Sequence, residues 1–212
     1  MNRRSFLAVA GMGTTLSIAG CTALFDASRP DDLESVEPDG DQLPSPTIAM
    51  GPVSIDVYED LGCPACHEFQ ADVFPTLEAQ LLDTGEATYR HVDFPLPADD
   101  RSVAMANAAR AVQDETQTED DPAGEFFADK TAVIDAGDWS DDALASIAAD
   151  ETDVEEDVVR DALEDETYYP TLAADWERGE DNGVSGTPTV IVDGDEVDAD
   201  ADSIVAAVED AT

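Results

Sequence analysis

A chain of 212 residues with 42% hydrophobic content is long enough for one well-buried domain and too short for two of ordinary size. Its 51 acidic residues against 9 basic ones leave a formal charge of -42, which excludes the clustered Lys and Arg that nucleic acid or an anionic lipid surface would require. Folding under such self-repulsion points to adaptation to molar salt, where charges are screened over roughly 3 Å at 1 M, and a single lysine, Lys130, fits that halophilic habit.

The amino terminus reads Asn2-Arg3-Arg4-Ser5-Phe6-Leu7, followed by an uncharged, mildly apolar run to Gly20, and so resembles a twin-arginine export signal over residues 1–20. From Phe6 the run is about 15 residues, short of the ~20 that a helix needs to span a bilayer, so it is not expected to be a permanent anchor. Ile18-Ala19-Gly20-Cys21 is similar to a lipobox, which implies cleavage before Cys21, a lipid on its thiol, and an exported chain held at the outer face of the cell membrane. Residues 21–45 are rich in Asp, Glu, Ser and Pro without a sustained apolar period, and are expected to be an acidic flexible tether.

The folded domain is expected over residues 46–212. Val53, Ile55 and Val57 alternate with Ser54, Asp56 and Tyr58, the period-two pattern of a strand. Phe69, Val73, Leu77 and Leu81 then recur every fourth residue, predicting an amphipathic helix from about residue 63 to residue 83 with a kink at Pro75. Thr84-Gly85 ends that helix, and residues 87–94 read as a second strand closed by Pro95 and Pro97. Residues 99–182 are helical in pattern almost throughout, with Thr152 and Glu155 spaced as a capping box and Val154, Val158 and Ala162 on one face. Strands return at residues 189–192 and 196–197 around a turn containing Gly194, and a helix carrying Ile204, Val205 and Val208 ends the chain. The class is α/β.

Cys63-Pro64-Ala65-Cys66 falls where a strand ends and a helix begins, the context in which C-x-x-C signals redox chemistry. Unpaired N–H groups and the helix dipole at that end favour thiolate, the attacking species. Cys63, outermost, is the expected nucleophile; Cys66, one turn inward, is the expected resolving cysteine. Three other readings use the same residues. His67 completes a C-x-x-C-H string like that of haem attachment, but a cytochrome has no need of the flanking strand units. Cys63, Cys66, His67 and His91 could be counted as a zinc tetrad, but neighbouring Cys66 and His67 point apart on a helix. A purely structural disulfide would close too small a loop to be an efficient staple.

Asp60 to Cys66, Phe74-Pro75, Gly85, Tyr89-Arg90, Asp93-Phe94-Pro95-Leu96 and Val184-Ser185-Gly186-Thr187-Pro188-Thr189 follow, in order, the pattern of the DsbA-like branch of the thioredoxin superfamily, and the chain resembles that family over nearly all of residues 46–212. The resemblance implies a thioredoxin-like fold with a helical subdomain inserted over about residues 99–182. It implies a cis peptide bond at Pro188 opposite the cysteines, with the Thr187 backbone pairing with substrate and Pro64 and Ala65 beside it. It implies disulfide exchange with exported proteins outside the cytoplasm, with oxidation the expected direction and reduction or isomerisation the alternative, and a membrane redox partner that recycles the pair. No cofactor, metal or nucleic acid is expected. From a different class, a lipid-anchored protein could use the same fold only to bind peptides. In one respect the chain departs from the family, whose members commonly bury an acid six residues before the first cysteine. Here that position is Val57, which leaves proton handling open, with Asp60 and His67 as candidates for tuning the site.

The charge makes fold and salt inseparable. Circular dichroism should show the domain expanding or unfolding on dilution from about 3 M to about 0.01 M salt, where the Debye length grows to roughly 30 Å. An unchanged spectrum would contradict this.

Overall fold

The computed structural model describes residues 28–96 and 98–212; the expected export signal, the first residues of the tether with Cys21, and Pro97 lie outside the described residues. Five strands, β1 (Thr47–Ile48), β2 (Val53–Glu59), β3 (Ala87–Asp93), β4 (Thr189–Val192) and β5 (Asp195–Val197), form one sheet in the order β1-β3-β2-β4-β5. Only β2 and β3 run parallel, because a helical run connects them across one face; the other three pairs are antiparallel. The β-branched alternation places β2 and β4 correctly. β1 is too short to carry a periodic pattern and was not expected.

The helical run after β2 is not the single kinked helix that its spacing predicts. It is built as α1 (Pro64–Glu68), a wide π turn at Phe69–Val73, α2 (Phe74–Leu77) and a second π turn at Glu78–Leu82. Pro75 has no N–H to continue the regular ladder, and the preceding Phe74 N–H reaches back five residues to the Phe69 carbonyl. Phe69, Val73, Phe74, Leu77 and Leu81 still bury one face on Val53, Ile55 and Val57, joined by Ile204 and Val208 of α8 (Ala201–Ala211).

Between β3 and β4 lie α3 (Ser102–Thr116), α4 (Phe126–Asp135), α5 (Asp141–Glu151), α6 (Glu156–Glu164) and α7 (Tyr169–Asp181), filling the expected helical insertion. They share a core around Met105, Val112, Phe126, Val133, Leu144 and Val159. The expected capping box is not formed: Thr152 donates its hydroxyl to the Ala148 carbonyl and so closes α5, and Glu155 is the residue that precedes α6. The last helix of the insertion, α7, returns to the opposite face of the sheet, where Trp176 stacks on Phe94 with ring centroids 3.9 Å apart. Gly179 permits that approach, since a Cβ there would lie 2.5 Å from the Phe94 ring.

The described part of the tether also departs from expectation. Residues 28–45 lie against the insertion instead of extending into solvent: Leu33 and Leu43 are buried, Leu33 in a cluster with Val103, Ala106 and Leu172. The Gln42 side chain bonds the Thr167 carbonyl and the Thr171 hydroxyl. Two isolated leucines have no period to betray them, yet each removes enough apolar surface from water, worth roughly 1.5–3 kcal/mol, to hold an acidic segment down. Among the described residues no helix is long and apolar enough to cross a membrane.

On α4, Asp129 is 1% exposed and its Oδ2 has no hydrogen-bond partner among the described residues; burial pushes its pKa up to about 7. A carboxyl raised from its ordinary value of 3.8 costs the fold nothing while protonated, and destabilises it progressively as pH climbs to about 7. Asp129→Asn should therefore raise the unfolding temperature at about pH 8, with a gain of up to about 1.4 kcal/mol per pH unit across that window. The gain should vanish below about pH 4, as thermal unfolding followed across pH would show.

Candidate active site

β2 ends at Glu59, and the chain turns through Asp60, Leu61 and Gly62 before α1 begins. The turn is held by Asp60: its Oδ1 accepts the Gly62 N–H at 2.7 Å, its Oδ2 accepts the Leu96 N–H at 2.8 Å, and its carbonyl accepts the Cys63 N–H at 3.0 Å. Gly62 is required by close approach, since a Cβ there would lie 2.6 Å from the Ser102 hydroxyl and 2.8 Å from Asp99 Cβ. Burial lifts the Asp60 carboxyl to about 6 against the pull of those hydrogen bonds. The Asp60 side chain thus shapes the loop that presents the cysteines.

Cys63 caps α1 in an extended conformation, with Pro64 in the first turn, where a missing N–H costs the helix nothing. Its Sγ lies 3.6 Å from the carbonyl oxygen of Thr187, and the Thr187–Pro188 peptide is cis. The structure thus brings together the two stretches that are 124 residues apart in sequence. Pro64 is exposed and Ala65 half-buried, but Cys63 itself is buried under the Thr187 loop, unlike the exposed position expected for it. Cys66 is a buried free thiol, so the two cysteines are not joined to each other here. Burial, and then the charge of Glu59, push the Cys66 pKa strongly upward.

His67 is half-buried and engaged elsewhere: its Nε2 lies 2.6 Å from the Leu61 carbonyl and its ring meets Trp139 edge-on. His91 sits between two carboxylates, so the four residues of the zinc reading each have other neighbours.

The residue that sequence reasoning missed is Glu59. Val57 does occupy the position of the family's buried acid, but Glu59 is two residues further along the same strand and therefore on the same face, one pleat closer to the cysteines. It is 1% exposed. Its Oε2 takes the Tyr89 hydroxyl at 3.2 Å, His91 Nδ1 at 3.0 Å and the ammonium of Lys130, which reaches in from α4. Burial works to raise the Glu59 pKa, but Lys130 and His91 outweigh it and hold it at about 2. A period-two reading carried to the end of β2 would have placed Glu59 inward. Nothing in sequence paired it with Lys130, 71 residues away.

A helix-capping cysteine, a buried partner thiol one turn on and a peptide carbonyl facing the first sulfur define a thiol-disulfide oxidoreductase of the DsbA-like type. A thioredoxin family model matches residues 49–210, and the chain belongs to that family. A probable disulfide bond formation protein D of Bacillus cereus is 26% identical over 165 residues, covering 74% of this chain and 73% of that protein. Among solved structures, oxidised BdbD from Bacillus subtilis superposes with a TM-score of 0.70 at 22% identity, over 82% of this chain and 95% of that one. Chlamydia trachomatis DsbA gives 0.71 at 21% identity, over 82% and 93%. These likenesses establish the fold.

Because the Glu59 pKa lies below its ordinary 4.5, its ionised form stabilises the fold fully above that pH, and the contribution is lost as pH falls toward about 2. Glu59→Gln should cost about 3–5 kcal/mol at neutral pH, by leaving Lys130 buried without a counter-charge. Denaturant titrations should show the gap to the unmutated chain narrowing below about pH 4.5.

Proposed function

We propose that this protein exchanges disulfides with exported proteins at the outer face of the cell membrane, as an oxidase that donates its Cys63–Cys66 disulfide. The observation that carries the reading is the facing pair of Cys63 Sγ and the Thr187 carbonyl at 3.6 Å, beside exposed Pro64. An extended client segment can pair with the Thr187 backbone as an added strand, which brings its own sulfur in line with Cys63. A client thiolate then attacks Cys63 Sγ, the Cys63–Cys66 bond breaks and Cys66 leaves with the electron pair. A second client thiolate displaces Cys63, so the client gains one disulfide and the protein retains two thiols. A membrane redox partner takes those two electrons away. The names of the curated relatives, which concern disulfide bond formation, favour oxidation as the direction.

In the same reading, residues 1–20 are a twin-arginine signal, and Cys21 carries a lipid and takes no part in exchange. The string Ile18-Ala19-Gly20-Cys21 supports this.

Two measurements test it. Cys66→Ala should accumulate mixed disulfides with an oxidised client on non-reducing electrophoresis, whereas Cys63→Ala should trap few or none. Equal trapping by both, or trapping that depends on Cys21, would reverse the assignment. A reduction potential near DsbA's value of about -120 mV would support oxidation, and one near thioredoxin's value of about -270 mV would make the protein a reductase. No exchange with any partner would leave peptide binding as the function.

A further inference from the structure

Asp60 stands where three segments of the fold meet, and both of its carboxylate oxygens are committed to backbone. The ladder between β2 and β3 runs as far as the Phe94 N–H, which donates to the Glu59 carbonyl at 2.8 Å. Pro95 has no N–H to offer next, so regular pairing stops there. Asp60 takes over: its Oδ2 accepts the Leu96 N–H at 2.8 Å, while its Oδ1 accepts the Gly62 N–H at 2.7 Å. One side chain thereby ties the turn before Cys63 to the chain that leaves β3 for the helical insertion.

The start of the insertion closes the third side. A Cβ at Gly62 would lie 2.6 Å from the Ser102 hydroxyl, 2.8 Å from Asp99 Cβ and 3.4 Å from Asp60 Oδ1, so the turn has no room to shift toward α3. The charged and titratable groups around Asp60 come from each of these segments. Glu59 precedes it on β2 and is paired with Lys130. Asp99 repels its charge and accepts the Arg101 N–H at 2.8 Å, while the Arg101 side chain is turned to the Trp139 carbonyl and Asp141. On α1, Cys66 feels the Asp60 charge and His67 holds the neighbouring Leu61 carbonyl. Burial and Asp99 disfavour the ionised carboxyl, whereas Ser102 and the two backbone N–H groups favour it, and its pKa stands at about 6 against an ordinary 3.8.

We propose that Asp60 is a positioning residue for disulfide exchange: its carboxylate latches the turn that presents Cys63, and protonation in mildly acidic solution opens the latch and slows attack at the Cys63 sulfur. The proposal rests on the disulfide-exchange reading above. An ionised carboxylate accepts strongly at both oxygens. Protonation turns one of them into a hydroxyl, so either Gly62 or Leu96 loses a charge-assisted partner. Gly62 immediately precedes Cys63, whose own N–H is held at 3.0 Å by the Asp60 carbonyl in the same turn. A shift of the turn therefore moves Cys63 Sγ relative to the Thr187 carbonyl, 3.6 Å away, beside which a client segment pairs in that reading. No proton passes between Asp60 and either sulfur.

The test is the rate at which reduced glutathione opens the oxidised, full-length protein, measured across pH for the unmutated chain and for Asp60→Asn. In this reaction a glutathione thiolate bonds to Cys63 Sγ, the Cys63–Cys66 bond breaks, and its electron pair goes to Cys66. Asparagine keeps the shape of the side chain but offers one acceptor oxygen, so the variant is unlatched at every pH. The unmutated chain should open about tenfold faster than Asp60→Asn at about pH 8, and less than about twofold faster at about pH 5. Glutathione ionisation is common to both proteins and cancels in that ratio. The fall should persist in a His67→Gln background, which lacks the other titratable side chain on the turn. A ratio that stays constant with pH makes Asp60 only structural and overturns the latch, as does a fall that disappears with His67. If Asp60→Asn does not fold, Ser102→Ala decides. Without the hydroxyl that favours the ionised carboxyl, the opening rate corrected for glutathione thiolate should begin to fall at a higher pH than in the unmutated chain. An unmoved profile overturns the latch. A disulfide that glutathione opens in no variant at any pH defeats the exchange reading as well, whereas a constant ratio or an unmoved profile defeats the latch alone.

Discussion

Burying a carboxylate beneath the cysteines imposes a condition on everything around it. An isolated charge at Glu59 would be prohibitive in the interior, so the fold has to bring cations to it, and the cation that arrives is the chain's single lysine. Lys130 belongs to α4 and Arg110 to α3, while Glu59, His91 and Asp93 belong to the two parallel strands. The charge cluster is therefore the polar joint between the sheet and the helical insertion. Removing one member leaves its partner buried and uncompensated, so the joint is demanding about geometry in a way that apolar packing alone is not.

The joint also places the chemistry. β2 and β3 pair in register through Val57 and His91 and through Glu59 and Asp93, so their final pleats present three polar side chains, Glu59, His91 and Asp93, at one end of the sheet. α1 follows the turn after β2, with Cys63 at its cap and Cys66 buried one turn in. The Cys63 sulfur thus faces the Thr187 carbonyl, and Cys66 lies buried one turn inward, where the charge of Glu59 acts on it. Burial and a nearby carboxylate turn Cys66 away from thiolate.

An acidic surface and the full commitment of the cations follow from the same scarcity. Every described Lys and Arg lies in an ion pair, with Asp56 held by both Arg90 and Arg178 and the two most buried cations committed beneath the site. Few positive charges are left to offset the exposed carboxylates, whose mutual repulsion must be screened from outside.

What sequence alone determined was whatever depends on local order. The period-two runs of β2 and β4, the helical content of residues 99–182 and the strand-to-helix setting of Cys63-Pro64-Ala65-Cys66 are all written in spacing, because strand and helix periods are set by backbone geometry. The family pattern added the Thr187–Pro188 loop. Tertiary structure alone decided the long-range pairings: Lys130 with Glu59 across 71 positions, Thr187 with Cys63 across 124, and Leu33 with Leu172 under a segment that reads as tether. It also turned Thr152 from the start of one helix into the end of another, and replaced a kink at Pro75 with two wide turns. Spacing records which face a residue occupies. Which distant charge or hydrophobe waits on that face is settled only when the elements pack, because the free energy of a buried group depends on the partner it meets there.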